Sequence, residues 1–427
     1  MELKTILKRK SLVKTGAIYS ISSTLSAVAA MIVGFANMRW LGPELLGIWQ
    51  SLTIINSYLP FLQLGIQSGL NIELPILLGE EKTDKAMAYV ATAKKFATIL
   101  SLVIALLGVG AVGVLLFKET DVKVTVGAIA VVGLAIISCY QLHLIATYRS
   151  ASAFDKLSKI YLVDACVTLV LLFFIYKYQY YGLVFYHVAK EGIKVFLMWY
   201  FAPYRKVKQH FDKSIFVALL KRGVVLMGLN QIGSVIGSLP KLVLLSLGGV
   251  VQVGLFSPAL AVHSLMSMIP SQIIQFLQPQ MGYKYGQTKR ASYMRPYFNK
   301  LTLFVPLLTL PFAIIGIWLI EPVLVYIFPK YLESLTAIRI MFIGFLFSSS
   351  NMTRNFLITI KAYIPLLILL ALDLLFFSLI PIAVIKMNVY SMMTSMAIGL
   401  SISYFVSYMI NYFVVIATIK KPKYNIG

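Results

Sequence analysis

The sequence predicts an all-α polytopic membrane protein with about twelve transmembrane helices, arranged as two six-helix bundles in parallel repeat. Of the 427 residues, 59% are apolar and only 12% are charged, and the mean hydropathy is +0.85. Soluble domains carry roughly 45 to 50% apolar and about 25% charged residues, so a water-soluble fold is excluded. Apolar stretches of about 20 residues, the length that crosses the hydrocarbon as a helix, follow one another along the chain.

An internal repeat divides the predicted spans into two halves. A shift of 207 residues places Lys14 on Lys221, Gly16 on Gly223, Gly42 on Gly249, Gly47 on Gly254 and Gly79 on Gly286. Because this shift crosses an even number of predicted spans, both halves have the same orientation. Parallel repeats place a substrate path between them. We therefore predict a transporter with an N-terminal lobe at residues 1–210 and a C-terminal lobe at residues 211–427.

The strong positive charge is interpreted as a signal of orientation rather than of nucleic-acid binding. The chain has 38 Lys and Arg against 15 Asp and Glu, a formal net charge of +23. With the N-terminus inside, 28 of the basic residues fall in cytoplasmic segments and 6 on the other side. Cytoplasmic loops retain Lys and Arg, so both termini are predicted to be cytoplasmic.

Several chemistries are excluded by what the sequence lacks. The two cysteines, Cys139 and Cys166, have no spacing that suggests a disulfide framework or a metal site. No Gly-rich phosphate loop and no arrangement of catalytic residues stands out. We therefore predict no metal, no cofactor, no ATP hydrolysis and no enzymatic activity.

The sixth predicted span carries the densest set of ionisable residues. His187, Lys190, Glu191 and Lys194 follow a spacing that places all four on one helical face. Ionisable groups in a membrane span are costly and are by default a functional hypothesis. In one interpretation, Lys190 and Lys194 bind an anionic group while His187 and Glu191 tune their charge or carry a coupled proton. In the other, the four residues form a structural network in which Glu191 pairs with Lys194.

Neutral polar residues mark the second and eighth predicted spans. Neutral amides and an aromatic ring suit sugar hydroxyls, but such polar residues also join membrane helices through hydrogen bonds, and both interpretations stay open. The candidate sugar-facing residues are Asn56, Gln63, Gln67, Asn71, His263 and Gln278.

Further charges lie within or near other predicted spans. Lys241, Arg339 and Asp373 are candidates for a substrate cavity. Asp373 equally suits neutralisation of a neighbouring Arg or Lys or a role in proton relay. Glu73 and Asp164 lie close to basic loops, and we expect them to form surface ion pairs.

One short motif points to a family. A basic start leads into Gly16, Leu41-Gly42-Pro43-Glu44-Leu45-Leu46-Gly47 joins the first two spans, and Leu64-Gly65-Ile66 lies within the second. In these features the chain resembles polysaccharide flippases of the O-antigen and capsule type. These belong to the multidrug/oligosaccharidyl-lipid/polysaccharide (MOP) exporter superfamily, whose fold is two six-helix bundles.

The resemblance implies a substrate, a location and partners. The substrate would be an oligosaccharide unit on polyprenyl pyrophosphate, moved to the outer leaflet of the bacterial inner membrane by alternating access. A polysaccharide polymerase and the chain-length machinery would be its protein partners. The alternatives are a proton- or sodium-coupled multidrug exporter of the same superfamily and a membrane-embedded glycan polymerase or ligase. The polymerase is disfavoured because no large outer loop is predicted.

Overall fold

A computed structural model describes residues 2–151, 153–288 and 290–424. In this part of the chain the regular structure is helical throughout. The α-helices are α1 (Glu2–Trp40), α2 (Pro43–Thr53), α3 (Leu59–Leu62), α4 (Ile66–Gly79), α5 (Thr83–Phe117), α6 (Val122–Ser150), α7 (Phe154–Tyr200), α8 (Lys213–Leu255), α9 (Ser257–Thr288), α10 (Arg295–Ile327), α11 (Leu335–Leu346), α12 (Ser350–Thr359), α13 (Tyr363–Lys386) and α14 (Met392–Ile419). Short 3-10 turns lie at Ile54–Ser57, Ala291–Met294, Pro329–Ser334, Phe347–Ser349 and Pro422–Tyr424.

Many of these helices are long and apolar enough to cross a membrane. Nine such helical segments occur among the described residues. Helix α7 alone has 47 residues, about 70 Å at 1.5 Å per residue, which is more than twice the thickness of the hydrocarbon core. Gln179 interrupts it with a φ of 47°, and the rings of Phe174 and Phe185 lie 4.8 Å apart across the break. Helix α7 is therefore a hairpin that supplies two spans.

The second predicted span is broken rather than continuous. Helix α2 ends at Thr53, and a 3-10 turn and the short α3 follow before α4 begins at Ile66. Leu64 and Gly65 both have a positive φ, at 51° and 78°, which stops one helix and starts another in a new direction. Asn56 therefore does not lie on one continuous helix with Gln67 and Asn71, the candidate sugar-facing residues of α4.

The described chain divides into two compact units. Unit 1 comprises Met1–Leu41 and Ile48–Gln231, and unit 2 comprises Gly42–Gly47 and Ile232–Gly427. In unit 1 the apolar face of α4 packs on the first half of α8, with Ile66, Leu70 and Leu219 fully buried. Helix α8 begins after Asp212, whose carboxylate accepts hydrogen bonds from Ser214 and from the backbone N–H of Ile215. The hydrogen bond from the Ser214 hydroxyl is the main cause that holds the pKa of Asp212 below its usual range, and the backbone hydrogen bonds add to it.

Unit 2 contains a reciprocal contact between two repeated glycine motifs. Gly42 and Gly249, which the repeat aligns, both have a positive φ, at 92° and 76°. A Cβ atom on Gly47 would collide with the carbonyl of Val250, and one on Gly254 would collide with the carbonyl of Pro43. The shift of 207 residues converts the first contact into the second, so the motifs pack as a self-complementary pair.

The reciprocal contact predicts a large effect for a single methyl group. We expect Gly254→Ala to lower the free energy of unfolding by about 3 kcal/mol, the upper part of the overpacking range, because the obstructing atoms are backbone. Gly110→Ala in α5 is the matched control, since nothing lies within 4 Å of the added methyl. The control should unfold at or above the wild-type temperature in detergent. Equal thermal stability of Gly254→Ala and the wild type would contradict the prediction.

Candidate functional site

The α7 hairpin brings together the ionisable residues of the fifth and sixth predicted spans. Asp164 and Lys194 lie at equal chain distances on either side of Gln179, so the antiparallel halves place them side by side. The Lys194 Nζ is 3.8 Å from the Asp164 Oδ1 and 2.7 Å from the Glu191 Oε2. The Lys190 Nζ is 3.6 Å from the Glu191 Oε1. We call Asp164, Lys190, Glu191 and Lys194 the charge cluster.

Neighbouring helices supply further contacts to the charge cluster. The Ser26 hydroxyl of α1 donates to the Asp164 Oδ2 at 2.5 Å, and the Gln141 Nε2 of α6 donates to the Glu191 Oε2 at 3.2 Å. Two ammonium groups and two carboxylates therefore lie together, and their formal charges cancel. Asp164 is almost fully buried, so the expected surface pairing of this residue is wrong. Glu73 does pair at the surface, with Arg222 at 2.8 Å.

His187 contacts aromatic rings rather than the charge cluster. Its imidazole stacks on Trp49 with ring centroids 4.8 Å apart and meets the edge of Tyr186 at 4.9 Å. It shares the helix face of Lys190 and Glu191, as the spacing predicts. Within the described part of the chain, His187 forms no direct hydrogen bond with Lys190 or Glu191.

A polar cavity of about 300 Å³ lies in unit 1 beside the broken second span. Of the predicted sugar-facing residues it brings together Gln63, Gln67 and Asn71, but not Asn56, which belongs to the preceding 3-10 turn. Three further polar residues line it, namely Ser68, Arg149 and Gln231, and the rest of the lining is formed by Pro60, Gly65, Leu142, Ile145, Ala146 and Met227. The sequence alone marks Arg149 only as a cytoplasmic charge, and it does not single out Gln231, which follows another amide, Asn230, in an apolar span.

The side chains of this cavity differ in what they already bind. Both ends of the Gln67 amide already have partners within the protein. Its Nε2 donates to the carbonyl of Ala93 at 3.3 Å, and its Oε1 lies 3.2 Å from the His143 Nδ1. Gln231 is 8% exposed, and its Nε2 is buried without a hydrogen-bond partner in the described structure. Arg149 is exposed and has no ion pair within the described residues. The cavity therefore combines a fixed wall with polar groups that are available to a ligand.

The remaining candidates lie in unit 2, and those whose side chains are described do not form one site. His263 packs among aromatic rings, 4.8 Å from Phe345 and 5.9 Å from Tyr404. Arg339 pairs with Glu321 at 2.6 Å in an exposed position. Lys241 is partly buried and forms no ion pair with any described residue. The side chain of Gln278 lies outside the described residues.

Asp373 forms a buried ion pair in unit 2. Its carboxylate lies on α13 and accepts a hydrogen bond from the guanidinium of Arg354 on α12. Both side chains are largely buried. The sequence left two roles open for Asp373, neutralisation of a neighbouring Arg or Lys and proton relay. The contact with Arg354 corresponds to neutralisation.

Residues 38–335 match the sequence profile of a family described as polysaccharide biosynthesis protein. No curated protein matches the chain significantly. Similar solved structures include an inward-facing multidrug resistance MATE family transporter of the MOP superfamily, with a TM-score of 0.76, 15% identity, and coverage of 93% of this chain and 94% of that one.

Two further solved structures share the fold. The Vibrio cholerae MATE transporter VcmN has a TM-score of 0.63 at 14% identity, covering 96% of this chain and 98% of that one. The lipid II flippase MurJ in an inward closed conformation has a TM-score of 0.68 at 12% identity, covering 93% of this chain and 87% of that one. At such identities the likeness establishes the fold alone. The predicted fold class, a helical membrane protein of the MOP type, is confirmed.

Proposed function

The chain belongs to the polysaccharide biosynthesis protein family, and from this premise we propose that it is a flippase for polyprenyl-pyrophosphate-linked oligosaccharide units. It moves these units from the cytoplasmic to the outer leaflet of the bacterial inner membrane, with both of its termini in the cytoplasm. The match over residues 38–335 is the observation that carries the proposal. The MOP fold supports it, because solved structures with this fold are transporters and a lipid II flippase.

In this proposal the two repeats act as lobes, residues 1–210 and 211–427, that alternately expose the substrate path to each side. Lys190 and Lys194 bind the pyrophosphate. Their present partners, Glu191 and Asp164, keep both ammonium groups compensated while no substrate is bound. An incoming pyrophosphate competes with these carboxylates for the two ammonium groups through charge-assisted hydrogen bonds. A polysaccharide polymerase and the chain-length machinery receive the translocated units.

A multidrug exporter is the second candidate, and the fold likeness to MATE transporters favours it. Coupling to protons or sodium would require a carboxylate in the membrane that can bind the cation. In the charge cluster each carboxylate lies within 4 Å of the Lys194 ammonium. This internal compensation makes the cluster a poor cation site and favours the flippase.

Deletion of the gene tests the proposal. We expect the mutant to accumulate lipid-linked saccharide units on the cytoplasmic side and to lose the surface glycan, because each unit requires translocation before polymerisation. The measurements are mass spectrometry of lipid extracts and immunodetection of the glycan, with the complemented strain as control. Unchanged glycan display together with altered drug sensitivity would instead identify a multidrug exporter.

A further inference from the structure

The polar cavity of unit 1 presents hydrogen-bonding groups that the protein itself does not use. We infer that it binds one sugar residue and its attached phosphate, and thus holds the reducing-end sugar of the lipid-linked glycan. This assignment rests on the proposed function. It adds to the charge cluster a second site, built from Gln63, Asn71, Arg149 and Gln231.

Gln231 is the strongest indication of a ligand. Its amide is more than nine-tenths buried, lines the cavity and leaves its Nε2 without a hydrogen-bond partner among the described residues. Buried polar groups in native structures nearly always have a partner, and an orphaned one requires an explanation. A sugar hydroxyl in the cavity would accept the unused N–H.

The other lining groups define the chemical class of the ligand. Gln63 and Asn71 add two side-chain amides, which both donate and accept hydrogen bonds, as vicinal hydroxyls require. Arg149 is the single cation among the lining residues, and its planar guanidinium suits bidentate contact with phosphate oxygens. Three amides and one arginine, beside apolar side chains that can pack on a ring face, suit a neutral sugar joined to phosphate.

The dimensions of the cavity limit how much of the glycan enters it. A volume of about 300 Å³ lies at the lower end of the range for ligand pockets, roughly 300 to 1,000 Å³. The space therefore suits one sugar ring rather than an oligosaccharide. Gln67 fixes one wall through its bonds to Ala93 and His143, so the site is partly preorganised.

The test measures binding by the purified full chain in lipid nanodiscs. The probes are polyprenyl pyrophosphate, the same lipid carrying one hexose, and soluble hexose 1-phosphate. Gln231→Leu and Asn71→Leu should each weaken binding of the hexosyl lipid by about 5- to 10-fold and leave the sugar-free lipid unchanged. Arg149→Gln should weaken both lipids by about 10-fold or more, since it removes a charge-assisted contact with phosphate.

The matched control is Gln252→Leu. Gln252 also lies in a membrane helix and has a buried, unpartnered amide oxygen, but it is outside the cavity. This control should bind all probes as the wild type does. Gln231→Leu should also unfold at or above the wild-type temperature without ligand, because it removes an unpartnered buried donor.

The outcomes separate the site from the proposed function. Wild-type affinity of Gln231→Leu and Asn71→Leu for the hexosyl lipid would overturn the site and leave the flippase proposal standing. Binding of hexose 1-phosphate alone, with the same loss in the variants, would retain the site and overturn the lipid-linked substrate. Failure of the wild type to bind any of the probes would overturn both.

Discussion

Replacing Lys190 and Lys194 together with alanine is expected to abolish export of the lipid-linked glycan. Each substitution removes an ammonium group and its charge-assisted contact with pyrophosphate, which is worth about 1.5 to 3 kcal/mol. The double substitution should therefore lower the flipping rate by roughly 100-fold or more. The measurements are surface glycan display and the content of unflipped lipid-linked units, at matched amounts of protein in the membrane. Lys156→Ala with Lys159→Ala, two exposed lysines at the start of α7, is the control and should export normally.

The double alanine variant also disturbs folding, because Asp164 and Glu191 lose their cation. Removing one side of a buried ion pair costs about 3 to 5 kcal/mol, so loss of export alone would not identify a binding role. A fourfold variant keeps the cluster uncharged and of similar volume. Its substitutions are Asp164→Asn, Lys190→Gln, Glu191→Gln and Lys194→Gln. We expect this variant to insert normally and fail to export, while Lys190→Arg with Lys194→Arg retains most export. Normal glycan display by the uncharged variant would show that the lysines do not bind the substrate.

The hydrophobic pattern was sufficient to predict the helices. Crossing hydrocarbon demands about 20 apolar residues in a helix, and this requirement leaves few other folds for such a sequence. The glycine repeat was also informative, since only glycine readily accepts the positive φ found at both Gly42 and Gly249. What the pattern did not predict is the break at Leu64 and Gly65. A single Leu-Gly pair in an apolar run is common in continuous membrane helices as well.

The candidate site was predicted in part. Residues close in sequence, such as Lys190, Glu191 and Lys194, could be grouped because helical spacing fixes their shared face. Partners distant in sequence could not, since the contact of Asp164 with Lys194 depends on where the α7 hairpin turns. Arg149 was indistinguishable from other basic residues near the membrane surface. Gln231 gains significance only from its burial and its unpartnered amide, neither of which a sequence reveals.

The buried Arg354–Asp373 pair of unit 2 provides the second large expected effect. Asp373→Asn or Arg354→Met should each lower the free energy of unfolding by about 3 to 5 kcal/mol, because the remaining partner is left charged and buried. Arg339→Met is the matched control in the same unit, since the pair of Arg339 with Glu321 is exposed. Exposed pairs contribute about 0 to 1 kcal/mol, so this variant should unfold close to the wild-type temperature.

A double variant of Arg354→Met and Asp373→Leu decides between a structural and a transport role for the pair. The Arg354 Nε is buried without a partner, so the pair does not satisfy all of its own polar groups, and apolar replacement of both residues should restore most of the lost stability. Normal export by the stable double variant would make the pair a packing element of unit 2. Loss of export at wild-type stability would instead mean that transport requires the charge of Arg354 or of Asp373, and a requirement for Asp373 is what a proton relay predicts. Because stability and export are measured on the same protein, a folding defect cannot be mistaken for a transport defect.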